Sequence, residues 1–129
     1  MSHLPQALVY GYYRKQWKDA GWSSLVMPLI DFCEQHKIEI GQIKEKWGLL
    51  RVYAGPADDK IVAQLEAQID AAENASYRMC EICAAPGEQR GGGWIHTYCD
   101  ACDVAEKAKW SEDRKKYETL MSENKTIDE

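Results

Sequence analysis

The sequence predicts an α+β fold in which helices pack on a β-hairpin and a small cysteine-rich module follows. Three observations predict it. Apolar residues recur at helical spacing in several segments, apolar and polar residues alternate within residues 38–54, and four of the five cysteines lie between residues 80 and 102. With 129 residues, of which 45% are hydrophobic, the chain has enough apolar material for one modest core.

Two helices are expected before the hairpin. The first spans residues 5–19, where Pro5 suits the first turn and four residues fall at helical spacing: Leu8, Tyr12, Tyr13 and Trp17. The second is expected to begin near Pro28, because a proline inside a helix removes a hydrogen bond and clashes with the preceding turn. It should end by Lys37 and face the core with a stripe made of Leu29, Phe32, Cys33 and His36.

A hairpin and a third helix complete the predicted core. Residues 38–54 form the hairpin, in which Gly41 breaks the alternation and indicates a β-bulge, and the segment Lys-Glu-Lys-Trp-Gly at 44–48 makes the connection. Residues 58–77 form the helix, with Asp58 as a candidate cap. Its core-facing stripe is predicted to consist of Ile61, Leu65, Ile69 and Ala72.

The four clustered cysteines form two Cys-x-x-Cys pairs, Cys80 with Cys83 and Cys99 with Cys102, separated by fifteen residues. Two residues between ligands make a tight turn that directs both thiolates at one point, and two such turns complete a tetrahedron around Zn²⁺. A glycine-rich hairpin follows the first pair, and the second pair lies at a predicted helix start. This order of knuckle, hairpin and helix resembles a treble-clef zinc finger.

A redox-active pair and unliganded thiols are the alternatives to a metal site. A redox motif expects one Cys-x-x-Cys near a βαβ unit, which this sequence does not show. Four cysteine ligands close the coordination shell, and none of His3, His36 and His96 belongs to the His-x-Glu of zinc deaminases. The sequence therefore predicts one structural Zn²⁺ and no catalytic residues. His96 could replace a cysteine ligand, although a hairpin histidine outside the ligand set is the simpler interpretation.

These elements define the expected domain organisation. Residues 1–77 form the α+β core, residues 78–118 form the zinc-binding module with a C-terminal helix, and residues 119–129 form a flexible tail. The sequence shows no apolar run near the roughly 20 residues that a membrane span needs, and its first residues lack a signal-peptide pattern. We therefore expect a cytoplasmic protein.

The charge distribution bears on the kind of partner. The net charge is −5, and the acidic excess lies after residue 57, since residues 1–57 hold seven Lys or Arg and five Asp or Glu. A free-standing nucleic-acid binder usually carries a basic surface, so this balance disfavours non-specific DNA binding. The candidate partner-binding residues are basic or aromatic: Arg14, Trp17, Lys44, Lys46, Trp47, Arg51 and Trp94.

The segments QIKEKWGLLRVYA, CEICAAPG and GGWIHTYCDAC resemble a family of small uncharacterised proteins of bacteriophages and prophages. Members have a Lys-Glu-Lys-aromatic-Gly hairpin motif followed by a treble-clef-like zinc knuckle, and the resemblance covers roughly residues 20–105. In that family the last ligand is often histidine, whereas Cys102 stands in that place here; either residue binds zinc. The resemblance implies a phage protein in the bacterial host cytoplasm, or a bacterial one, without an established activity.

The sequence allows three alternative functions. The first is a non-enzymatic module that binds a protein partner, for example an inhibitor or modulator of a host or defence protein. The second is a nucleic-acid-binding zinc finger that uses residues 14–18 and 44–48 as a basic surface. The third is an enzyme or nucleotide binder with an aromatic cleft. The acidic balance, the missing catalytic constellation and the surplus of Trp and Tyr favour the first, and the oligomeric state is left open.

Overall fold

The computed structural model describes residues 5–91 and 94–128, and the α+β fold class predicted from the sequence is confirmed. The described ranges contain four helices and two antiparallel two-stranded hairpins. In chain order the elements are α1 (Gln6–Trp17), α2 (Ser23–Gln35), β1 (Ile40–Lys46), β2 (Leu49–Ala54), α3 (Asp59–Ser76), β3 (Glu88–Arg90), β4 (His96–Tyr98) and α4 (Asp100–Asp128).

The chain divides into two compact units. The first ends at Cys99 and contains α1 to β4, and the second begins at Asp100 and consists of α4, whereas the sequence predicts boundaries after residues 77 and 118. Helix α4 continues to Asp128, through the segment 119–129 that the sequence predicts as a flexible tail; residue 129 lies outside the described residues. Among the described residues, no helix is long and apolar enough to cross a lipid bilayer.

In helix α1 the four residues at helical spacing are divided between the core and the solvent. Its buried residues are Tyr10 and Trp17. Of the four residues at helical spacing, Trp17 lies in the core and Tyr13 packs against it, whereas Leu8 and Tyr12 are 61% and 63% exposed. A polar contact helps to explain the choice of face, because the Tyr10 hydroxyl donates to the Ile38 carbonyl oxygen over 2.6 Å.

Helix α2 begins earlier than the sequence predicts. It starts at Ser23 and contains Pro28, so the predicted start near the proline is wrong. Pro28 is exposed, and inside a helix it costs one backbone hydrogen bond. Burial of an apolar face offsets this loss; the face consists of Val26, Leu29, Ile30 and Cys33.

Strands β1 and β2 form the predicted hairpin. They pair antiparallel, and the register shifts between Ile40 and Gln42, which is the bulge predicted at Gly41. Strand β1 extends further than expected, through Lys46, whereas β2 begins at Leu49 as predicted, so the connection consists of Trp47 and Gly48 alone. These two residues have φ values of 57° and 77°, and positive φ at both positions is what a two-residue type I′ turn requires.

The hydrophobic core is formed by α1, α2, α3 and the β1–β2 hairpin. The stripe predicted for α3 packs in it as expected: Ile61, Leu65, Ile69 and Ala72. The last turn of α3 is joined to the hairpin by Ser76, a fully buried residue whose hydroxyl oxygen accepts a hydrogen bond from the Leu50 N–H over 3.0 Å. The core therefore fixes the position of the residues that lead to the first cysteine.

Trp22 and Gly21 connect this core to the first cysteine pair. Trp22 is 1% exposed, and its indole N–H donates to the Met79 carbonyl oxygen over 2.8 Å. The Gly21 N–H donates to the Glu81 carbonyl oxygen over 2.9 Å. A Cβ atom at Gly21 would collide with the carbonyl oxygen of Cys80, so this close approach requires glycine. The segment that carries the first cysteine pair is thus hydrogen-bonded directly to the helical core.

Candidate metal centre

The four cysteines that the sequence predicts as metal ligands come together: Cys80, Cys83, Cys99 and Cys102. Their Sγ atoms lie within 4.8 Å of one another, and those of Cys83 and Cys99 are 3.6 Å apart. Two thiolates bound to one tetrahedral zinc ion through bonds of about 2.3 Å are separated by about 3.8 Å. The donor set and its spacing therefore fit a metal ion held by four sulfur atoms.

A tight turn positions the first pair. The Cys80 N–H donates to the Ala85 carbonyl oxygen over 2.8 Å, and the Ala84 N–H donates to the Cys80 carbonyl oxygen over 3.0 Å. Ala84 has a φ of 71°, which reverses the chain immediately after Cys83. Cys80 is buried and Cys83 is exposed, so one sulfur is anchored inside the protein and the other lies at its surface.

The second pair lies where β4 ends and α4 begins. Cys99 directly follows β4, and Cys102 lies in the first turn of α4. The end of the strand and the start of the helix thereby bring both sulfur atoms of this pair into the cluster.

The β3–β4 hairpin lies between the two pairs. Its tip contains Gly91, which has a φ of 108° and leaves no room for a Cβ atom beside the Trp94 carbonyl oxygen. A glycine is required at this position, as the sequence predicts for a tight hairpin tip. Gly92 and Gly93, which belong to the same predicted tip, lie outside the described residues.

Glu81, between Cys80 and Cys83 in the sequence, connects the first pair to β4. Its Oε2 accepts a hydrogen bond from the Thr97 N–H over 3.0 Å, and its Oε1 lies 2.9 Å from Nδ1 of His96. Its own N–H donates to the Thr97 carbonyl oxygen over 2.9 Å. Glu81 is not among the site residues that the sequence predicts. The signal that could have found it is an acidic side chain placed inside a Cys-x-x-Cys pair.

Two exposed tryptophans line one recess of about 320 Å³, whose walls are formed by Glu45, Lys46, Trp47, Trp94 and Ile95. Trp47 is 60% exposed and Trp94 is 74% exposed. The recess exists because the β1–β2 turn lies against β4, where the Thr97 hydroxyl donates to the Gly48 carbonyl oxygen over 2.5 Å. Three of the predicted partner-binding residues, Lys46, Trp47 and Trp94, are therefore brought together.

The two candidate arginines are engaged with carboxylates of the protein itself. Nη2 of Arg14 lies 2.6 Å from Glu34 and 2.7 Å from Asp31. Hydrogen bonds to Glu34 and then to Asp31 raise the pKa of the Arg14 guanidinium. Nη1 of Arg51 lies 3.6 Å from Glu73. Both arginines are thereby less available to an outside anion.

The remaining candidates differ in their surroundings. Lys46 is exposed, and the ammonium of Lys44 lies 5.8 Å from the centre of the Tyr53 ring. Trp17 is 8% exposed, and its ring is stacked on that of Trp22 with centroids 6.3 Å apart. Its burial places Trp17 in the core, contrary to the prediction that it contacts a partner.

No protein-family model matches this chain, and no curated protein or solved structure matches it either. The resemblance to the phage and prophage family therefore stays a prediction that depends on the motifs.

Proposed function

We propose that the chain is a protein-binding module that is held together by one structural zinc ion and has no catalytic activity of its own. Zinc is favoured because all four donors are cysteine sulfur atoms, and a tetrahedral set of four thiolates is typical of structural zinc sites. Four protein ligands fill the tetrahedral shell and leave no position for a reacting water. The ion then stabilises the fold and takes no part in a reaction.

The observation that carries this proposal is the pair of exposed tryptophans on one recess. Trp47 and Trp94 are 60% and 74% exposed. Trp47 also has a φ of 57°, a backbone conformation that is unfavourable for a large residue and that tends to occur at functional sites. Tryptophan is enriched among the residues that dominate binding energy at protein interfaces. A partner that covers both rings offsets the cost of exposing them.

The proposed zinc ion also supports the shape of this recess. Trp94 lies just before β4. Within β4, the Thr97 hydroxyl donates a hydrogen bond to the carbonyl oxygen of Gly48, the residue that follows Trp47. Strand β4 leads directly into Cys99. Loss of the metal is therefore expected to release β4, to separate the two tryptophans and to weaken partner binding.

The biological setting belongs to the same proposal. The motif resemblance supports a phage or bacterial cytoplasmic protein with a treble-clef-like zinc module that inhibits or modulates a host or defence protein. The net charge of −5 suits a partner with a basic surface, because complementary charge accelerates association and selects partners. The partner is thus expected to be a protein rather than a nucleic acid.

Affinity purification from a bacterial lysate tests the proposal when wild-type protein is compared with Trp47→Ala and Trp94→Ala. Trp110→Ala is the matched control, since Trp110 is 70% exposed but lies on α4, outside the recess. We expect one protein that is retained by wild type and by the control and lost with both recess variants. Calorimetry with that purified protein should then show binding weakened about 30-fold by either recess substitution, the effect of a hot-spot residue worth about 2 kcal/mol.

Two results would contradict the proposal. One is a partner that binds the recess variants as tightly as it binds wild type. The other is a gel shift with nucleic acid that weakens as salt rises, which is the mark of phosphate contacts. The ion pairs of Arg14 and Arg51 lead us to expect no such shift at low salt.

A further inference from the structure

Three side chains with metal-binding atoms converge outside the cysteine cluster. One ligand atom from each of Glu45, Glu81 and His96 lies within 4.8 Å of the others. We propose that these residues form a second divalent-cation site, with nitrogen and oxygen donors and an open coordination position. This site is separate from the proposed structural zinc, since it shares none of the four cysteines.

The spacing of these atoms suits one small ion. Two ligands on a tetrahedral ion with bonds of about 2.05 Å are about 3.3 Å apart. Oε1 of Glu81 and Nδ1 of His96 are 2.9 Å apart, and Glu45 completes the set within 4.8 Å. Binding of an ion needs Glu81 and His96 to move apart by a few tenths of an ångström and the Glu45 side chain to approach them by up to about 1.5 Å. The ion then replaces the hydrogen bond that joins Glu81 and His96.

The carboxylates are already oriented by the backbone. Oε2 of Glu45 accepts a hydrogen bond from the Gly48 N–H over 2.6 Å, and Oε2 of Glu81 accepts one from the Thr97 N–H over 3.0 Å. Each bond leaves the second oxygen of its carboxylate for a cation. Metal-binding carboxylates are typically held by such outer hydrogen bonds, which reduce the entropy lost when the ion binds.

The three residues also come from separate parts of the first unit. Glu45 belongs to β1, Glu81 to the turn between the first two cysteines, and His96 to β4. Two carboxylates held this close repel each other, and a divalent cation between them removes that repulsion. An ion at this point therefore joins the β1–β2 hairpin to the cysteine segment, in addition to the Thr97 bond.

The donor set indicates which ions bind and what they can take as a further ligand. Imidazole and carboxylate donors suit Zn²⁺, Co²⁺ and Ni²⁺, with affinity rising from Co²⁺ to Ni²⁺. Sites with three protein ligands keep a position for water or for an anionic oxygen ligand. Glu45 also lines the recess between Trp47 and Trp94, so a carboxylate or phosphate bound to the ion lies beside the tryptophan rings.

Zinc titration by calorimetry tests the second site on the full chain already loaded with one equivalent of zinc. We expect a second saturable event with one ion per chain. Glu45→Gln and His96→Gln should each weaken it at least tenfold, because loss of one ligand removes a third of the protein donors. Glu66→Gln, which alters an exposed carboxylate on α3, is the matched control and should leave the event unchanged.

Cobalt spectra separate the two sites. Co²⁺ added to the chain holding one zinc should give weak visible absorption without the intense near-ultraviolet bands of cobalt bound to thiolate. Absence of a second binding event in the wild-type chain would overturn the proposal, as would an event that both Gln variants retain at full affinity. Neither result bears on the partner-binding test, so the two proposals can fail independently.

Discussion

Thr97 is a fully buried polar side chain whose hydroxyl bonds the Gly48 carbonyl oxygen over 2.5 Å. Thr97→Val keeps the shape of the side chain but leaves that carbonyl without its partner. We expect the free energy of unfolding to fall by about 1–3 kcal/mol, the cost of a buried unsatisfied group. Urea denaturation measures it.

Thr119→Val is the control for this substitution. Thr119 lies on an exposed part of α4, and its hydroxyl donates to the Lys115 carbonyl oxygen, which is also the acceptor of a helical bond. The change in unfolding free energy should stay within about 0.5 kcal/mol, as for most surface substitutions. An equal loss of unfolding free energy in the two variants would show that the hydrogen bond of Thr97 does not stabilise the protein.

Cys33 differs from the other four cysteines in its surroundings. It is 1% exposed, and burial raises the pKa of its thiol, so very little reactive thiolate forms at neutral pH. In the zinc-loaded protein we expect slow reaction of all five thiols with Ellman's reagent. Chelation should release four fast-reacting thiols and leave the fifth protected until the protein unfolds. Five fast thiols after chelation would mean that the core opens together with the metal site.

At the scale of elements, the β1–β2 turn places Trp47 and Gly48 in the left-handed region. A Cβ atom at Gly48 would lie 2.9 Å from backbone atoms of His96. Gly48→Ala therefore combines backbone strain with a clash, and we expect it to reduce the free energy of unfolding by about 2 kcal/mol. The melting temperature should fall accordingly.

Gly11→Ala is the opposite case. Gly11 lies inside α1, and apart from the backbone of its own helix and its two chain neighbours no atom lies within 4 Å of an added Cβ. Alanine in an open helical position is expected to stabilise the protein by about 0.5–1 kcal/mol, because it lowers the conformational entropy of the unfolded chain. If Gly48→Ala and Gly11→Ala lower the free energy of unfolding equally, the close approach at Gly48 is not the cause of the destabilisation.

The elements that the sequence predicts well are those governed by local rules. The hairpin with its bulge at Gly41 and the face of α3 follow from alternation and periodicity, which hold along a few turns of chain. The start of α2 and the core-facing residues of α1 depend on tertiary contacts instead. Pro28 is tolerated within α2 because the apolar face around it is buried, and Tyr10, which the helical spacing does not single out, lies in the core because its hydroxyl reaches the Ile38 carbonyl.

At the scale of the molecule, one part of the candidate site is encoded locally in the sequence and another depends on tertiary contacts. The cysteine cluster is predictable because the turn geometry of each Cys-x-x-Cys pair is local. The convergence of Glu45, Glu81 and His96, by contrast, requires the β1–β2 turn to lie against β4. The spacing of residues along the chain does not predict that contact.

Removal of the metal should affect the two parts of the first unit unequally. With a chelator, or in Cys99→Ser, we expect residues 78–99 to lose protection from hydrogen exchange while the core within residues 25–77 stays partly folded. The reason is that structural zinc contributes about 10–16 kcal/mol of binding free energy to the segment that it holds, whereas the apolar core depends on burial. Hydrogen exchange read by mass spectrometry, together with a lowered melting temperature, checks this. An unchanged melting curve after verified metal loss would refute it.

The stacked pair of Trp17 and Trp22 has a practical consequence for such measurements. The two indole planes are only 11° apart with centroids 6.3 Å from each other, and Trp22 is bonded to the carbonyl of Met79, the residue before Cys80. Indoles this close can couple their electronic transitions, and we expect this pair to contribute to the circular dichroism of the protein. The molecule therefore carries its own optical reporter, and that signal should track whether the segment beside Cys80 remains in its folded position.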